Sequence, residues 1–551
     1  MMSAPPPRAI VSVLLLAALL IGLAQAALLP PWEGFDEPPH YSYFQQIAET
    51  GRWHAFDTKM SREIDTYLAV APTTKEMHGP WTYYDFFAAG PAAIEAGRHL
   101  IQDRPAEPRA WVPGQLGNWQ LQHPPLYYVV MVPAYLASKT WSLAAQLFFL
   151  RSFSYLLGWA GLCIVAVWAF RTGPGRIATL LPLAVGLWPF LFPGWFPEMG
   201  RLGNDSLVAV LAACSLVLVN RLISTEAKIR DYALFGLTLG LGLLTKATFL
   251  PVTAAAFIFL GSLAAVAKGS ERRSARTIGF VIAAVLAMAV GGWWLALKMI
   301  ESGGVTGVSG VIDLHAPGGL IAGLLKNLNF WSIVQPWGVA TSFLWSSTWS
   351  FIIPPRSAML PLVVLAMAIA YGCYRYLRRH GVQPIGWFVL LVLGLLVCAL
   401  TYYSIELLAV IANATPGWYV HALAPILALL LGYGIAGAFE APWLRSAMPA
   451  LLLYPLAFLP AATILNVLFF AGCAPTLPGR QYFAWSSAAE CLADYPRMYG
   501  NLAVLAWPGV GITLFVAGWM LALIGVVMAA RYLRASSVAS DTAYTSIVST
   551  R

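Results

Sequence analysis

Phe35-Asp36-Glu37-Pro38-Pro39-His40 follows directly on the first long apolar run of the chain, residues 10–29. Two adjacent carboxylates therefore stand where a membrane helix ends and water begins. Spanning segments avoid acids, so such a pair at the mouth of a bundle is a candidate functional group. The two prolines open a short helical stretch, which puts both acids at or just before a helix N-terminus, where the partial positive charge favours a carboxylate. The plainer reading makes Asp36 or Glu37 an N-cap and nothing more.

The rest of the 551 residues fits a polytopic membrane protein. The chain is 59% hydrophobic and 10% charged, with a mean hydropathy of +0.69, whereas soluble domains carry roughly 25% charged residues. Apolar runs of spanning length lie at 10–29, 152–170, 177–197, 206–222, 231–245, 247–267, 277–298, 358–376, 385–409, 419–437, 447–470 and 503–530. The expected fold is therefore all-α, with about twelve transmembrane helices in one domain covering 1–551. The fifth run is short and glycine-containing, and reads as tilted or as a hairpin with the sixth. Residues 125–150, interrupted by Pro133, Lys139 and Trp141, read as interfacial or re-entrant.

Placing the N-terminus in the cytoplasm leaves basic residues at every inner connection, from Arg171 and Arg176 through Arg378 and Arg379 to Arg531 and Arg534. Residues 30–125 then form a large first outer loop. Both termini lie inside, and the Ser/Thr-rich tail 535–551 reads as disordered. Arg8 and Ala24-Gln25-Ala26 flank the first run as in a cleavable signal, but its length and the motif that follows favour an uncleaved span. The net charge of +9 suits anionic lipid or phosphate, and no basic block suggests nucleic acid. Of six cysteines, Cys473 and Cys491 share one polar loop. In an oxidising compartment they are disulfide candidates. No cysteine spacing suggests zinc.

Further polar constellations punctuate the apolar sequence. Gln122-His123-Pro124-Pro125-Leu126-Tyr127-Tyr128 marks the return of the first loop to the membrane, or an interfacial aromatic anchor. Arg201-Leu202-Gly203-Asn204-Asp205-Ser206 separates two spans. Arg201 there could hold a phosphate or pair with Glu198 or Asp205, and Asn204 or Asp205 could be an N-cap. Lys246, after Thr245 in a tight apolar hairpin, needs an anionic partner or must snorkel. Arg356, Tyr419, His421 and Arg480 are weaker candidates from the remaining outer segments.

Taken together, these motifs resemble the C-type integral-membrane glycosyltransferases (GT-C), which take a sugar from a polyprenyl-phosphate carrier. Protein O-mannosyltransferases and lipid A aminoarabinose transferases belong to that superfamily. Asp36-Glu37 after the first span is its most recognisable mark, and His123-Pro124-Pro125-Leu126 is similar to an O-mannosyltransferase motif. Asn204-Asp205 looks like the acidic motif of the second outer loop. Gly240-Leu241-Gly242 through Thr245-Lys246 is similar to a hairpin of bacterial members. The resemblance covers roughly the first 270 residues; beyond them only hydropathy follows the pattern. No Trp-Trp-Asp tripeptide of the oligosaccharyltransferase kind is present.

The resemblance implies a bacterial inner-membrane enzyme that moves a hexosyl or pentosyl group to an acceptor hydroxyl at the periplasmic face, with inversion. Asp36 would be the general base, and Glu37 the second choice or its orienting partner. His40, His123, Tyr127, Asn204 and Asp205 would position acceptor and donor. Lys246, Arg201, Arg356, Arg480 and His421 would hold the departing phosphate. No cofactor is required, since the phosphate leaves with its charge already present; Asp36, His40 and Asp205 could still gather a divalent metal. The partners implied are a polyprenyl-phosphate-linked sugar, membrane lipids and an acceptor that is a lipid, glycan or protein. The alternative is a flippase or transporter of lipid-linked sugars, which would put its charges near the midplane, often in repeated halves.

Overall fold

The computed structural model describes residues 7–52, 58–74, 77, 79–172, 176–224, 226–304, 306–307, 318–327, 335–345, 348–350, 352, 354–411, 417–473 and 485–549. The architecture is all-α apart from one antiparallel ribbon, Lys59–Ser61 with Pro113–Gly117, paired Lys59 to Gly117 and Ser61 to Pro113. Among the described residues, ten helices are long and apolar enough to cross a bilayer: Arg8–Leu28, Leu143–Arg171, Asp205–Ile223, Ala247–Ala265, Ser270–Ser302, Arg356–His380, Pro384–Leu407, Gly417–Phe439, Met448–Phe470 and Pro508–Ser536. The chain is a multi-pass membrane protein.

The other two expected spans are shorter. Residues 231–245 fall on the 15-residue helix Ile229–Leu243, about 22 Å at 1.5 Å per residue against a hydrocarbon core of about 30 Å. Residues 177–197 fall on a helix that ends at Leu191 and contains Pro182 and Pro189; its apolar part is Leu180–Leu191. The 125–150 segment is divided, as its interruptions suggest. Leu126–Ser138 is a 13-residue helix, too short to cross, and the next begins at Leu143.

Two packing features hold the bundle. Gly417–Phe439, 89% buried, is its central helix. The first helix runs along the last, where Gly511, Gly518 and Gly525 recur every seventh residue against Leu28, Ile21 and Leu14. A Cβ at these positions would come within 2.5, 2.8 and 2.7 Å of the opposite side chains. Small residues at such a seam let backbones approach closely, which is how helices gain contact in lipid. Trp507 N–H also donates to the Ala27 carbonyl, 2.9 Å.

The first loop is not a loose excursion. It folds into short helices, Glu37–Thr50, Arg62–Val70, Tyr83–Ala88 and Pro91–Gln102, that dock on one end of the bundle. Tyr83 illustrates this. Its ring packs on Phe469 and Phe470, and its hydroxyl donates to buried Glu33, 2.8 Å. At the same end Cys473 and Cys491 are joined, with Cα atoms 5.5 Å apart. Arg8 marks the far end, where it lies over the Phe170 ring.

Candidate active site

The turn between the first two helices is shaped by backbone constraint. Asp36 has φ 56° and ψ 20°, and Trp32 has φ 67°. The left-handed region costs most L-residues about 1–2 kcal/mol, with Asp among the few that tolerate it. Gly34 is needed for space, because a Cβ there would meet the Glu37 carboxyl carbon at 2.5 Å and the Arg201 Cβ at 2.7 Å. Such strain at a loop beside charged groups is a hallmark of functional sites.

This geometry splits the carboxylate pair. Glu37 is fully buried and receives Arg151 Nε at 2.8 Å and Arg151 Nη2 at 2.6 Å. Leu202 N–H donates to it at 3.1 Å and Gly34 N–H at 3.3 Å. A carboxylate offers about four acceptor sites, and all are used, which leaves none for a substrate hydroxyl. Arg151 spends its other donors on the carbonyls of Leu29 and Pro30.

Asp36 has the opposite character. It is partly exposed among buried neighbours and stands at the N-cap position of the helix Glu37–Thr50, but its side chain makes no capping hydrogen bond. Its Oδ1 accepts the Trp119 indole N–H at 2.9 Å. Its Oδ2 has no hydrogen-bond partner among the described residues.

Within electrostatic reach of Asp36 stand Arg201, Tyr403 and Tyr419. The loop at 198–206 supplies a buried charge cluster. Lys246 Nζ meets Asp205 Oδ2 at 2.6 Å and lies over the Tyr419 ring, 4.9 Å from its centre. Arg201 Nη2 contacts Glu198 at 2.5 Å and Asp205 at 3.1 Å. Its Nη1 donates to the Phe35 carbonyl at 3.0 Å. Both pairings weighed for Arg201 are thus present, and its donors are committed to protein. Asn204 stands at the N-cap position of its helix but makes no side-chain capping bond; its amide donates to the Thr245 carbonyl, 3.2 Å. Asp205 Oδ1 and Asn204 Oδ1 are buried without a hydrogen-bond partner among the described residues.

The His123 segment packs beside the same charge cluster. His40 Nδ1 is 2.8 Å from the Tyr128 hydroxyl, and the His40 and His123 rings are nearly parallel, 6.1 Å apart. The Tyr127 hydroxyl accepts from Gly203 N–H at 3.1 Å and is 3.1 Å from the Ser154 hydroxyl. Burial pushes the His123 imidazole down to about 3, assisted by Lys246 and Arg201. Burial, then Arg201, His123 and Lys246, lower His40 well below its usual range. Both rings are therefore neutral at pH 7.

The sign of the consequence follows. Unfolded histidines take up a proton near pH 6.5 and these folded ones do not, so the unfolded state binds more protons below that pH. Stability falls as the pH drops from about 6.5 towards about 3, by at most about 1.4 kcal/mol per pH unit for each ring. The thermal midpoint should drop between pH 7 and pH 5, and His123→Gln should remove part of that slope.

Two further expected phosphate ligands are engaged by other groups. His421 is buried, with Nε2 on the Phe343 carbonyl at 2.8 Å and Nδ1 facing the Trp188 indole at 3.4 Å, so both nitrogens are engaged in an aromatic cage. Arg356 is exposed and lies over Trp337, 5.9 Å from its ring centre. Arg480 lies outside the described residues. The possible metal ligands also diverge: Asp36 turns to Trp119, His40 to Tyr128 and Asp205 to Lys246. Among the described residues no group of three or more His, Cys, Asp or Glu could hold a metal ion.

Sequence reasoning missed Arg151, Trp119 and Glu33. Arg151 had a signal: it is a charge beside an apolar run that was read as starting at 152, and such a charge demands a partner. Glu33 is buried with no cation in contact among the described residues, held by Tyr83 and Ser350 hydroxyls at 2.8 and 2.9 Å, and burial raises its pKa.

Fold and site together define a multi-pass α-helical membrane protein with a buried charge cluster at one end. No protein-family model matches the chain, and no curated protein does. Solved structures similar to it include ArnT from Cupriavidus metallidurans, apo and bound to undecaprenyl phosphate. Each is 13% identical with a TM-score of 0.44, covering 94% of this chain and 77% or 78% of that one. The oligosaccharyltransferase AglB of Archaeoglobus fulgidus, in complex with an inhibitory peptide and a dolichol-phosphate, is 14% identical with a TM-score of 0.35. It covers 92% of this chain and 56% of that one. The likeness transfers no residue role or substrate to this chain.

Proposed function

We propose that this protein is a glycosyltransferase that moves a sugar from a polyprenyl-phosphate carrier to an acceptor hydroxyl. The observation that carries the reading is the unequal fate of the two motif carboxylates. Glu37 is locked by Arg151, whereas Asp36 keeps one oxygen free beside a pocket that holds Lys246. Asp36 Oδ2 accepts the proton of the acceptor hydroxyl as the new bond to the anomeric carbon forms. The bond from that carbon to the phosphate oxygen breaks, its electron pair stays on the phosphate, and attack opposite the leaving group inverts the centre. Lys246 has three donors and gives one to Asp205; the others are available to the departing phosphate, where fixed positive charge is most effective. Arg201, Glu37 and Arg151 hold the frame.

The pocket faces the outer compartment in this reading. The Cys473–Cys491 bridge supports it by lying at the pocket end, since disulfides persist in oxidising compartments. The basic residues that set topology cluster at the other end, as Arg379 and His380 against Glu440 illustrate.

The test is turnover in nanodiscs of a panel of undecaprenyl-phosphate-linked hexoses and pentoses, read as release of undecaprenyl phosphate. Lys246→Met should weaken donor binding by roughly 10- to 100-fold, the worth of one hydrogen bond to a charged group. Movement of the intact donor across a bilayer without phosphate release would establish a flippase instead.

A further inference from the structure

We infer that Trp119 is a positioning residue for Asp36, fixing which carboxylate oxygen receives the proton. The inference rests on the reading of Asp36 as the base. An indole N–H is a donor and never an acceptor, so a proton arriving at Asp36 cannot be shared with Trp119 through Oδ1. The donated hydrogen bond occupies one lone pair of Oδ1 and lowers its basicity, so the proton is favoured on Oδ2, the oxygen without a partner among the described residues. The contact spans 83 residues of sequence, and both of its ends are anchored.

Trp119 opens a 3₁₀ turn, Trp119–Gln122. Its neighbour Asn118 donates through Nδ2 to the Pro39 carbonyl at 3.0 Å, and Asn118 Oδ1 accepts from Gln120 N–H at 2.9 Å. Asn118 N–H donates to the Thr58 carbonyl at 3.1 Å. On its other side the Trp119 ring meets Trp349 edge-on, centroids 6.0 Å apart. Trp349 N–H donates to the Glu33 carbonyl at 2.8 Å. The indole is thus clamped between two groups that are themselves tied to residues 33–39, the turn that carries Asp36. A side chain needed only for bulk would have no use for a nitrogen aimed at one carboxylate oxygen.

The test separates the nitrogen from the ring. Trp119→Phe removes both donor and bulk. Benzothienylalanine at position 119, with sulfur in place of N–H, keeps the shape and removes the donor alone. With whichever undecaprenyl-phosphate-linked sugar gives turnover, both variants should lose roughly 10-fold in kcat at pH 7 with KM for the donor unchanged. The acid limb of the pH–rate profile should move up by about one unit, as expected when a charged acceptor loses one donor. Benzothienylalanine with wild-type kcat and an unmoved acid limb would overturn the inference, and so would a loss confined to KM.

A second readout needs no substrate. The Trp119 indole N–H resonance, identified as the signal absent from Trp119→Phe, should shift in Asp36→Gly, which keeps the left-handed backbone and removes the acceptor. No shift would overturn the contact. A shift in a protein that turns over no donor would leave the contact standing and remove the glycosyltransferase reading.

Discussion

Arg151→Ala is expected to destabilise the protein by about 3–5 kcal/mol, the typical cost of removing one partner of a buried ion pair. Arg151 and Glu37 are 2% and 0% exposed, so their charges have no access to water. Deletion strands Glu37 and also withdraws donors from the Leu29 and Pro30 carbonyls. The loss should appear as a fall in thermal midpoint and in the yield of monodisperse protein in detergent. Arg151→Lys should recover part of it, because one ammonium supplies the charge but cannot span both carboxylate oxygens and two carbonyls. Arg356→Ala, at an exposed site, should stay within about 0.5 kcal/mol of wild type. A normal midpoint for Arg151→Ala would mean that the turn carrying Asp36 does not depend on this pair.

Asp36→Asn should lower transfer by about 10²- to 10⁴-fold, the usual contribution of a positioned base, while donor binding and thermal midpoint stay near wild type. The substitution isolates the chemistry. Asn tolerates the left-handed backbone, and its amide oxygen can still accept the Trp119 N–H. Only the capacity to take a proton disappears. Asp36→Ala would add a backbone cost of about 1–2 kcal/mol and confuse the two effects. Glu37→Gln should behave differently, with its main loss in stability because its contacts are to Arg151 and backbone. Full transfer by Asp36→Asn in nanodiscs would remove Asp36 as the base.

The sequence disclosed the membrane class, because hydropathy alone fixes which segments can cross, and ten of the twelve expected spans have the length required. The two that fall short, among the described residues, are interrupted by prolines or glycines, as at Pro182 and Pro189. The sequence also identified segments that the fold brings together: Asp36, His40, His123, Asp205 and Lys246 come from four separate stretches and gather around Arg201 in one charge cluster. It could not tell a free charge from a committed one. Arg201 and His421 look like anion ligands in one dimension, yet their donors are used by Glu198, Phe35 and Phe343. Nor could it find Trp119 among 22 tryptophans, since what distinguishes it is a contact made across 83 positions.

The seam between the first and last membrane helices bears on how the molecule comes into being. The glycine stripe at 511, 518 and 525 grips the helix whose end launches Asp36, and it is translated some five hundred residues later. A growing polypeptide therefore carries the Asp36 turn long before it can fasten the strut beneath it, which becomes available only after the other described spans have been made.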